Sequence, residues 1–273
     1  MLEKLGTLLK SIRHDQHQTQ KSVASGICSQ SMLSAIENNE YLPNAAIFIQ
    51  LAKRLNIDLN QIGLANNFDI SSQKNFNDTL SKLCGEHKYQ QLLDFLQQDE
   101  VIDQLEEGTQ TQAYYYYLAV AQMQTGHTDD AFTSGKLSIA EANDREPSTL
   151  TRLAYISLAY AHATQHKGKL ARANQDLAFN NLEKLKYDED QNILFYLAAL
   201  IDYELQDYEG SANKLKDGIK FITSHNSHYM LANSYYLLSL IAEKLNNDVE
   251  KIEASKRSNL FTDLYEENVF EDI

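Results

Sequence analysis

The chain has 273 residues, of which 43% are hydrophobic and 23% charged, and these fractions favour a soluble globular protein over a disordered one. Ten glycines, two prolines and no tryptophan in this length favour an all-α fold of one or two domains. Cys28 and Cys84 lie far apart, so neither a disulfide framework nor a zinc site is expected, and a reducing cytoplasm is the expected location. No apolar run is long enough to span a membrane, and the first residues lack a secretion-signal pattern.

The net charge of −14 is distributed unevenly along the chain. Residues 1–65 carry a net charge of +1, and the remainder carries −15. DNA would be repelled at long range by the second part only, so only the first part is suited to approach it. The asymmetry indicates two domains with different partners, at 1–65 and 75–273, with a polar linker at 66–74.

The first domain is predicted to contain five short helices. Apolar spacing and capping residues place them at residues 2–15, 20–24, 30–37, 45–55 and 58–64. Thr19 and Ser29 can cap the second and third helices, and Gly26 suits a left-handed turn between them. Two short helices joined by a tight glycine-containing turn are typical of the helix-turn-helix that reads DNA.

The residues in this segment resemble the XRE/Cro-type repressor domain over about sixty positions. The positions that carry the resemblance are Thr19, Gln20, Ala24, Gly26, Ile27, Ser29, Gln30, Ser31, Leu33, Ser34, Ile36, Glu37, Asn38, Leu42 and Pro43. Two positions depart from the pattern, because Ala35 stands where many relatives have a longer polar residue and Asn39 replaces the usual glycine. Asn tolerates the left-handed conformation at that position at some cost.

The resemblance implies that the third helix enters the major groove of double-stranded DNA. Gln30, Ser31 and Ser34 would face base edges, and Ala35 would touch a thymine methyl group. The residues implied to lie near phosphates are Arg13, Gln20, Lys21 and Asn38. Two alternatives stay open, namely that Ser29 caps a helix instead of contacting DNA and that Arg13 pairs with Glu37.

A 40-residue repeat follows in the second domain. An aromatic residue recurs at Tyr115, Tyr155, Phe195 and Tyr235, and turn residues recur at Gly126, His166, Gln206 and Asn246. A weaker first copy brings the number of helical hairpins to about five. The pattern aromatic-x2-Leu-Ala-x6-Gly-x4-Ala, followed from Tyr115 to Ala131, resembles the tetratricopeptide repeat over about residues 75–265. The period exceeds the usual 34 residues and the final proline of each repeat is missing.

Hairpins of this kind stack into a solenoid, because none can bury its apolar face alone. Asn side chains on the inner surface can donate to and accept from an extended peptide backbone, and Arg152 would suit a carboxylate. The predicted peptide-binding residues are Tyr116, Arg152, Asn192, Tyr196, Tyr203, Asn233 and Tyr236. Tyrosine could equally replace phenylalanine in packing, and this interpretation is preferred for Tyr115, Tyr155 and Tyr235.

The sequence has no phosphate-binding glycine-rich loop and neither a G-x-S-x-G nor an H-E-x-x-H motif, so no enzyme activity, metal or cofactor is expected. The acidic run 188–190 precedes a predicted helix, where it would favour the N-terminal end of the helix dipole. His225 and His228 are assigned to a solvated turn, and residues 265–267 to a solvated end.

An XRE-type domain joined to a repeat domain of this kind resembles the peptide-pheromone receptors of Gram-positive bacteria, the Rgg/PlcR/PrgX (RRNPP) group. The resemblance implies a cytoplasmic, homodimeric quorum-sensing transcriptional regulator controlled by a short imported signalling peptide. The last predicted helix, at 248–265, is a candidate dimer or capping element. Two alternatives remain, namely a regulator controlled by a partner protein and an interaction scaffold that does not bind DNA.

Overall fold

The computed structural model describes residues 2–41, 43, 45–55, 68–71, 73–105, 108–142 and 147–271. The chain divides into two compact units, Met1–Leu64 and Ala65–Ile273. All regular secondary structure in the described ranges is helical, which confirms the predicted all-α class. Within these ranges, no helix combines the length and apolar character needed to cross a membrane.

The first unit contains four described helices: α1 Leu2–Asp15, α2 Gln20–Ala24, α3 Gln30–Glu37 and α4 Ala45–Arg54. Their bounds agree with the predicted ones to within one residue. The predicted fifth helix, at 58–64, lies outside the described residues. Apolar side chains from all four helices meet in one core, whose buried members are Leu9, Val23, Ala24, Leu33, Ile36, Leu51 and Leu55.

The turns of the first unit follow from local hydrogen bonds. Ser29 Oγ accepts a hydrogen bond from the backbone N of Met32 at 3.1 Å and so caps α3. Asn39 adopts a left-handed φ of 60°, and its Oδ1 accepts from the backbone N of Gly6 at 2.8 Å. Asn at this position therefore does more than tolerate the turn, because it also ties the end of α3 to α1.

In its described residues, the second unit contains five antiparallel hairpins and two extra short helices. Its helices are α5 Lys74–Gly85, α6 Tyr89–Leu96, α7 Asp99–Ile102, α8 Thr109–Gln124, α9 Thr128–Ala140, α10 Thr149–Thr164, α11 Gly168–Phe179, α12 Gln191–Glu204, α13 Tyr208–Ser224, α14 Leu231–Lys244 and α15 Asp248–Tyr265. A short 3-10 helix, Leu182–Lys184, follows α11. The hairpins are α5–α6, α8–α9, α10–α11, α12–α13 and α14–α15.

The predicted 40-residue period is confirmed by the backbone of the hairpins. In each of the last four hairpins, the turn residue two positions after the end of the first helix has positive φ, namely Gly126 (82°), His166 (56°), Gln206 (62°) and Asn246 (55°). The small residues that follow at Ala131, Ala171 and Ser211 are buried where the paired helices approach closely. Each repeat therefore folds as one hairpin whose turn contains a residue with left-handed backbone conformation.

Part of the predicted linker belongs to the second unit. Ile70 is fully buried in the core of that unit, and Ser71 is buried beside it. Asn77 Oδ1 on α5 accepts hydrogen bonds from the backbone N atoms of Ile70 and Ser71 at 3.0 and 3.3 Å. The polar composition of 66–74 predicted a linker, but Ile70 supplies the apolar side chain that attaches this segment to α5.

Candidate functional site

The first turn of α3 presents several of the predicted base-contacting side chains to solvent. Gln30 and Ser31 are exposed, and Ser34 and Ala35 are partly exposed one turn later. Lys21 on α2 and Asn38 after α3 are also exposed. Ser29 Oγ is occupied by the cap on Met32 and also lies 3.0 Å from Ser31 Oγ, which favours the capping interpretation of Ser29.

Arg13 and Gln20, by contrast, bind a protein side chain. The Arg13 guanidinium donates to Glu37 through Nε at 2.6 Å and Nη2 at 2.8 Å, and both side chains are almost fully buried. Gln20 Nε2 donates to the same carboxylate at 2.8 Å. Of the two interpretations open for Arg13, the geometry favours pairing with Glu37, and this network holds α1 and α2 against the end of α3.

Arg54 stabilises the helix-turn-helix from a fourth helix and was not predicted from the sequence. Its Nη1 donates to the carbonyl oxygens of Ser22 and Ser25, at 3.0 and 3.1 Å, at the end of α2. A basic residue in the last turn of α4 carries no signal for a partner 29 to 32 residues earlier. Its role depends on the packing of α4 against α2.

A cavity of about 620 Å³ lies inside the second unit, a size within the range of small-ligand sites. Its wall is formed mainly by aromatic and aliphatic side chains of the first helices of the hairpins. Three predicted peptide-binding residues, Tyr116, Tyr196 and Asn233, line it. Burial raises the pKa of the Tyr116 and Tyr196 hydroxyls far above the ordinary tyrosine value, so both remain neutral hydrogen-bonding groups.

Arg152 does not line the cavity. Only 1% of this residue is exposed, and its guanidinium donates to the carbonyl oxygens of Pro147, Ala178 and Asn180 at 2.7 to 3.0 Å. These bonds tie the start of α10 to the end of α11. The predicted role of Arg152 as the partner of a ligand carboxylate is therefore wrong, because the guanidinium is used inside the repeat.

Asn192, Tyr203 and Tyr236 also lie outside the cavity wall. Asn192 is fully buried, and its Nδ2 donates to Ser227 Oγ at 3.2 Å and to the Tyr229 carbonyl at 3.1 Å. Tyr203 packs edge-on against Tyr208, with ring centroids 5.5 Å apart. Asn192 therefore positions the loop before α14, which in turn carries Tyr229 to the cavity.

Asn233 binds the segment of chain that follows α15. Its Nδ2 donates to Glu267 Oε1 at 2.7 Å and to the Asn268 carbonyl at 3.2 Å, and its Oδ1 accepts from the backbone N of Phe270 at 2.9 Å. This segment, residues 266–271, is called the tail here. The amide thus both donates to and accepts from the backbone of a non-helical segment of its own chain.

The tail crosses from the last hairpin to the first. Asn268 Nδ2 donates to the Gly85 carbonyl at 2.8 Å, and His87 Nε2 lies 3.0 Å from the Asn268 carbonyl. The buried Phe270 ring contacts His87 and Tyr89, with centroids 5.6 and 6.0 Å apart. The prediction of a solvated end for residues 265–267 holds for Tyr265 and Glu266, which are exposed, but is wrong for Glu267, whose carboxylate is partly buried where the tail lines the cavity.

His225 and His228 are both exposed in the non-helical segment between α13 and α14, as the prediction of a solvated turn requires. His225 stacks on Tyr187 at 4.0 Å between ring centroids, and His228 stacks on Tyr265 at 3.7 Å. Asp190, in the run predicted to favour a helix dipole, is 6% exposed and lines the cavity. Across the part of the chain that the structure describes, no group of three or more metal-ligating side chains is gathered.

The two units define a class of protein that joins a helix-turn-helix domain to a helical-repeat domain with an internal cavity. Residues 9–62 match the family model described as Helix-turn-helix. Over 59 residues the chain is 39% identical to the ImmF control region 10 kDa protein of Bacillus phage phi105, and this match covers 21% of the chain and 66% of the phage protein. The predicted XRE-type domain at the N-terminus is confirmed.

Among solved structures, the whole chain is similar to PlcR of Bacillus thuringiensis. PlcR in complex with the peptide PapR7 and DNA matches with a TM-score of 0.62 at 23% identity, covering 97% of this chain and 96% of PlcR. The apo form of PlcR matches with a TM-score of 0.57 at 20% identity, covering 97% and 95%. These similarities confirm the predicted fold, a helix-turn-helix domain followed by helical repeats.

Proposed function

We propose that the protein is a cytoplasmic, quorum-sensing transcriptional regulator, which acts by binding and not by catalysis. It binds operator DNA through α3, and a short signalling peptide bound in the cavity of the repeat domain controls it. The observation that carries the proposal is the hydrogen bonding of Asn233 to the tail, because a site that holds one non-helical peptide segment has the groups needed to hold another. The similarity to PlcR, solved with a peptide and DNA, supports it.

DNA binding is supported by the exposed start of α3 and by the charge distribution. The side chains proposed to contact DNA are Lys21, Gln30, Ser31, Ser34, Ala35 and Asn38. Lys10 Nζ donates to Asn38 Oδ1 at 3.2 Å on the same exposed surface, and it adds a second cation suited to phosphate. The buried network of Arg13, Gln20 and Glu37 would fix the angle at which α3 enters the major groove.

Gln30→Ala is expected to weaken binding to the specific operator by about tenfold or more and to leave non-specific DNA binding almost unchanged. The reason is that a Gln amide can pair with an adenine edge through two hydrogen bonds, which alanine cannot replace. An operator selected from random DNA by the purified protein would be titrated in gel-shift assays, with Gln50→Ala on the exposed face of α4 as the control.

Equal losses on specific and non-specific DNA would contradict the proposed role of Gln30. A protein that selects no operator, and whose DNA binding shows no steep dependence on salt, would contradict the regulator itself. That outcome would leave the alternative of an interaction scaffold.

Peptide control requires a difference in affinity between two arrangements of the protein. We propose that these are two arrangements of a homodimer whose two helix-turn-helix domains contact two operator half-sites. The last helix, α15, offers a surface for a second copy, because Val249, Ile252, Leu260 and Leu264 are more than half exposed. Peptide binding would then favour one spacing of the two DNA-binding domains.

Asn233→Ala is expected to abolish the effect of the signalling peptide on operator binding and to leave operator binding without peptide within about twofold of the original value. The substitution removes the donor and acceptor that hold a non-helical backbone in the cavity, and it changes no residue of the DNA-binding domain. Short synthetic peptides encoded beside the gene would be added to the gel-shift assay, with Asn174→Ala on α11 as the control.

An unchanged peptide response in Asn233→Ala would contradict the role of this residue. Near-UV circular dichroism of the tyrosines would show whether the variant keeps its packing, since all tyrosines except Tyr41 lie beyond residue 65. If no peptide affects operator binding by the original protein, peptide control itself is wrong, and a partner protein becomes the alternative.

A further inference from the structure

Asp190 occupies a helix-capping position without capping the helix. It is the N-cap residue of α12, where an Asp side chain ordinarily accepts a hydrogen bond from the first turn, yet its carboxylate makes no such bond. Its own backbone N donates to Asp188 Oδ1 at 3.1 Å. The local structure of the helix start therefore does not explain why a carboxylate is buried at this position.

The Asp190 carboxylate lies against the cavity. The residue is only 6% exposed, and among the residues that the structure describes its Oδ2 has no hydrogen-bond partner. It lines the cavity together with Tyr116, Tyr117 and Tyr229, and the pKa values of all three tyrosines are raised, first by burial and in part by the charge of Asp190. Leaving a carboxylate oxygen buried and unpaired is costly, so this oxygen is suited to a partner that enters the cavity.

Two further polar atoms on the same wall share this property. Tyr196 Oη and Glu267 Oε2 are buried and have no hydrogen-bond partner within the described ranges. Tyr196 lies on α12, the helix that Asp190 precedes. Glu267 lies in the tail, and its other carboxylate oxygen, Oε1, accepts a hydrogen bond from Asn233. Three unpaired atoms from two separate segments thus face one cavity, and all three can accept a hydrogen bond.

The charges around the cavity identify what these acceptors lack. The acidic residues that line it are Glu86, Asp190, Glu266 and Glu267, whereas the basic ones are Lys82, His87 and His228. Glu86 pairs at the surface with Lys88. The charged neighbours that influence Asp190 are Asp188 and Glu189, and both are negative. Burial and these two charges keep the Asp190 carboxyl protonated when no cation is bound, and a donor that carries positive charge would displace the proton and pair with the carboxylate.

We propose that Asp190 is the recognition site for a cationic group of the ligand, an ammonium supplied by a lysine side chain or by the N-terminus of a peptide. The rings of Tyr116, Tyr117 and Tyr229 around the carboxylate would add attraction for a cation over their faces. The inference rests on the proposed function in that the ligand is taken to be a peptide. It adds the chemical class of group that the cavity selects.

The test uses three matched pools of synthetic heptapeptides of apolar and aromatic residues, with the C-terminus amidated. The first pool is N-acetylated and contains one lysine. The second, neutral pool is also N-acetylated but has norleucine in place of that lysine. The third pool has norleucine and a free N-terminus. The full-length protein is dialysed to equilibrium against the mixed pools, and the retained peptides are counted by mass spectrometry. The variants are Asp190→Asn, Asp190→Glu and, as a control, Asp176→Asn on the exposed face of α11.

The original protein and Asp176→Asn are expected to retain the pool with the preferred ammonium about thirtyfold over the neutral pool, and Asp190→Asn to retain both about equally. Asp190→Glu, which keeps the charge on a longer side chain, is expected to recover part of the preference. Preference for lysine or for a free N-terminus identifies the source of the ammonium. Equal retention of all pools by the original protein, or a preference that survives Asp190→Asn, would overturn the proposal.

The same peptides separate this inference from the proposed function. Peptides retained through Asp190 that leave operator binding unchanged would contradict peptide control while the cation site stands. Neutral peptides that are retained as well as the cationic ones and that alter operator binding would support peptide control and contradict the cation site. Near-UV circular dichroism of each variant checks that the loss of preference is not a loss of folding.

Discussion

Glu37→Ala is expected to destabilise the helix-turn-helix domain by about 3–5 kcal/mol, the usual cost of removing one partner of a buried ion pair. Glu37 accepts hydrogen bonds from Arg13 at 2.6 and 2.8 Å and from Gln20 at 2.8 Å. Alanine would leave the Arg13 guanidinium buried without its counter-charge. Three helices meet at this carboxylate, so operator binding is expected to fall together with stability.

The measurement is hydrogen exchange of the full-length protein, followed at the amides of residues 2–55. Glu40→Ala, at an exposed turn three residues later, is the control and should change stability by less than about 0.5 kcal/mol. The double variant Arg13→Met/Glu37→Leu should recover most of the loss, because it removes both charges. If Glu37→Ala lowers the free energy of unfolding by less than about 1 kcal/mol, the pair contributes no more than an exposed salt bridge, which would contradict this prediction.

The same pair has a defined pH dependence. Burial acts to raise the pKa of Glu37, but the hydrogen bonds from Arg13 and Gln20 and the charges of Arg13 and Lys10 outweigh it, so the pKa is lowered from 4.5. A lowered folded-state pKa contributes stability above the unfolded pKa, and this contribution is lost as the pH falls through the folded value. The contribution of Glu37 is therefore present at neutral pH and disappears in acid below about pH 4.5.

Most of the fold could be predicted because its signals are local. The spacing of apolar residues and the caps at Thr19 and Ser29 depend on neighbours within a few positions, and α1 to α4 follow from them. The 40-residue period is equally local, since each copy needs only one left-handed turn and one small residue at its helix crossing. The position of Gly6 is different, because a Cβ there would lie 1.9 Å from the Ile36 carbonyl oxygen, 30 residues along the chain.

The candidate cavity could be predicted only in part, because its wall depends on contacts between distant segments. The helical register correctly brought Tyr116, Tyr196 and Asn233 to the inner surface. It could not show that the Arg152 guanidinium donates to carbonyl groups of its own hairpin, because those hydrogen bonds depend on the path of the chain after α11. Nor could it show that the tail returns to Gly85, a contact across 183 residues that has no sequence period.

Asp190→Asn is expected to stabilise the repeat domain by about 3–5 kcal/mol at pH 8 and by less than about 1 kcal/mol at pH 4. Burial, and after it the charges of Asp188 and Glu189, raises the pKa of Asp190 from 3.8 to about 8. Between these values the unfolded chain has released the proton and the folded chain has kept it. The free energy of unfolding therefore falls as the pH rises from 4 to 8, and it stops falling for this reason above pH 8.

Asparagine has nearly the shape of the protonated carboxyl and cannot ionise, so this part of the pH dependence should vanish. Urea unfolding at a series of pH values, followed by the near-UV circular dichroism of the tyrosines, reports on the repeat domain. Glu204 and Glu267 also have raised pKa values, but they are present in both proteins and cancel in the difference. Asp176→Asn should keep the original slope, and an unchanged slope in Asp190→Asn would show that Asp190 ionises as readily in the folded protein as in the unfolded chain.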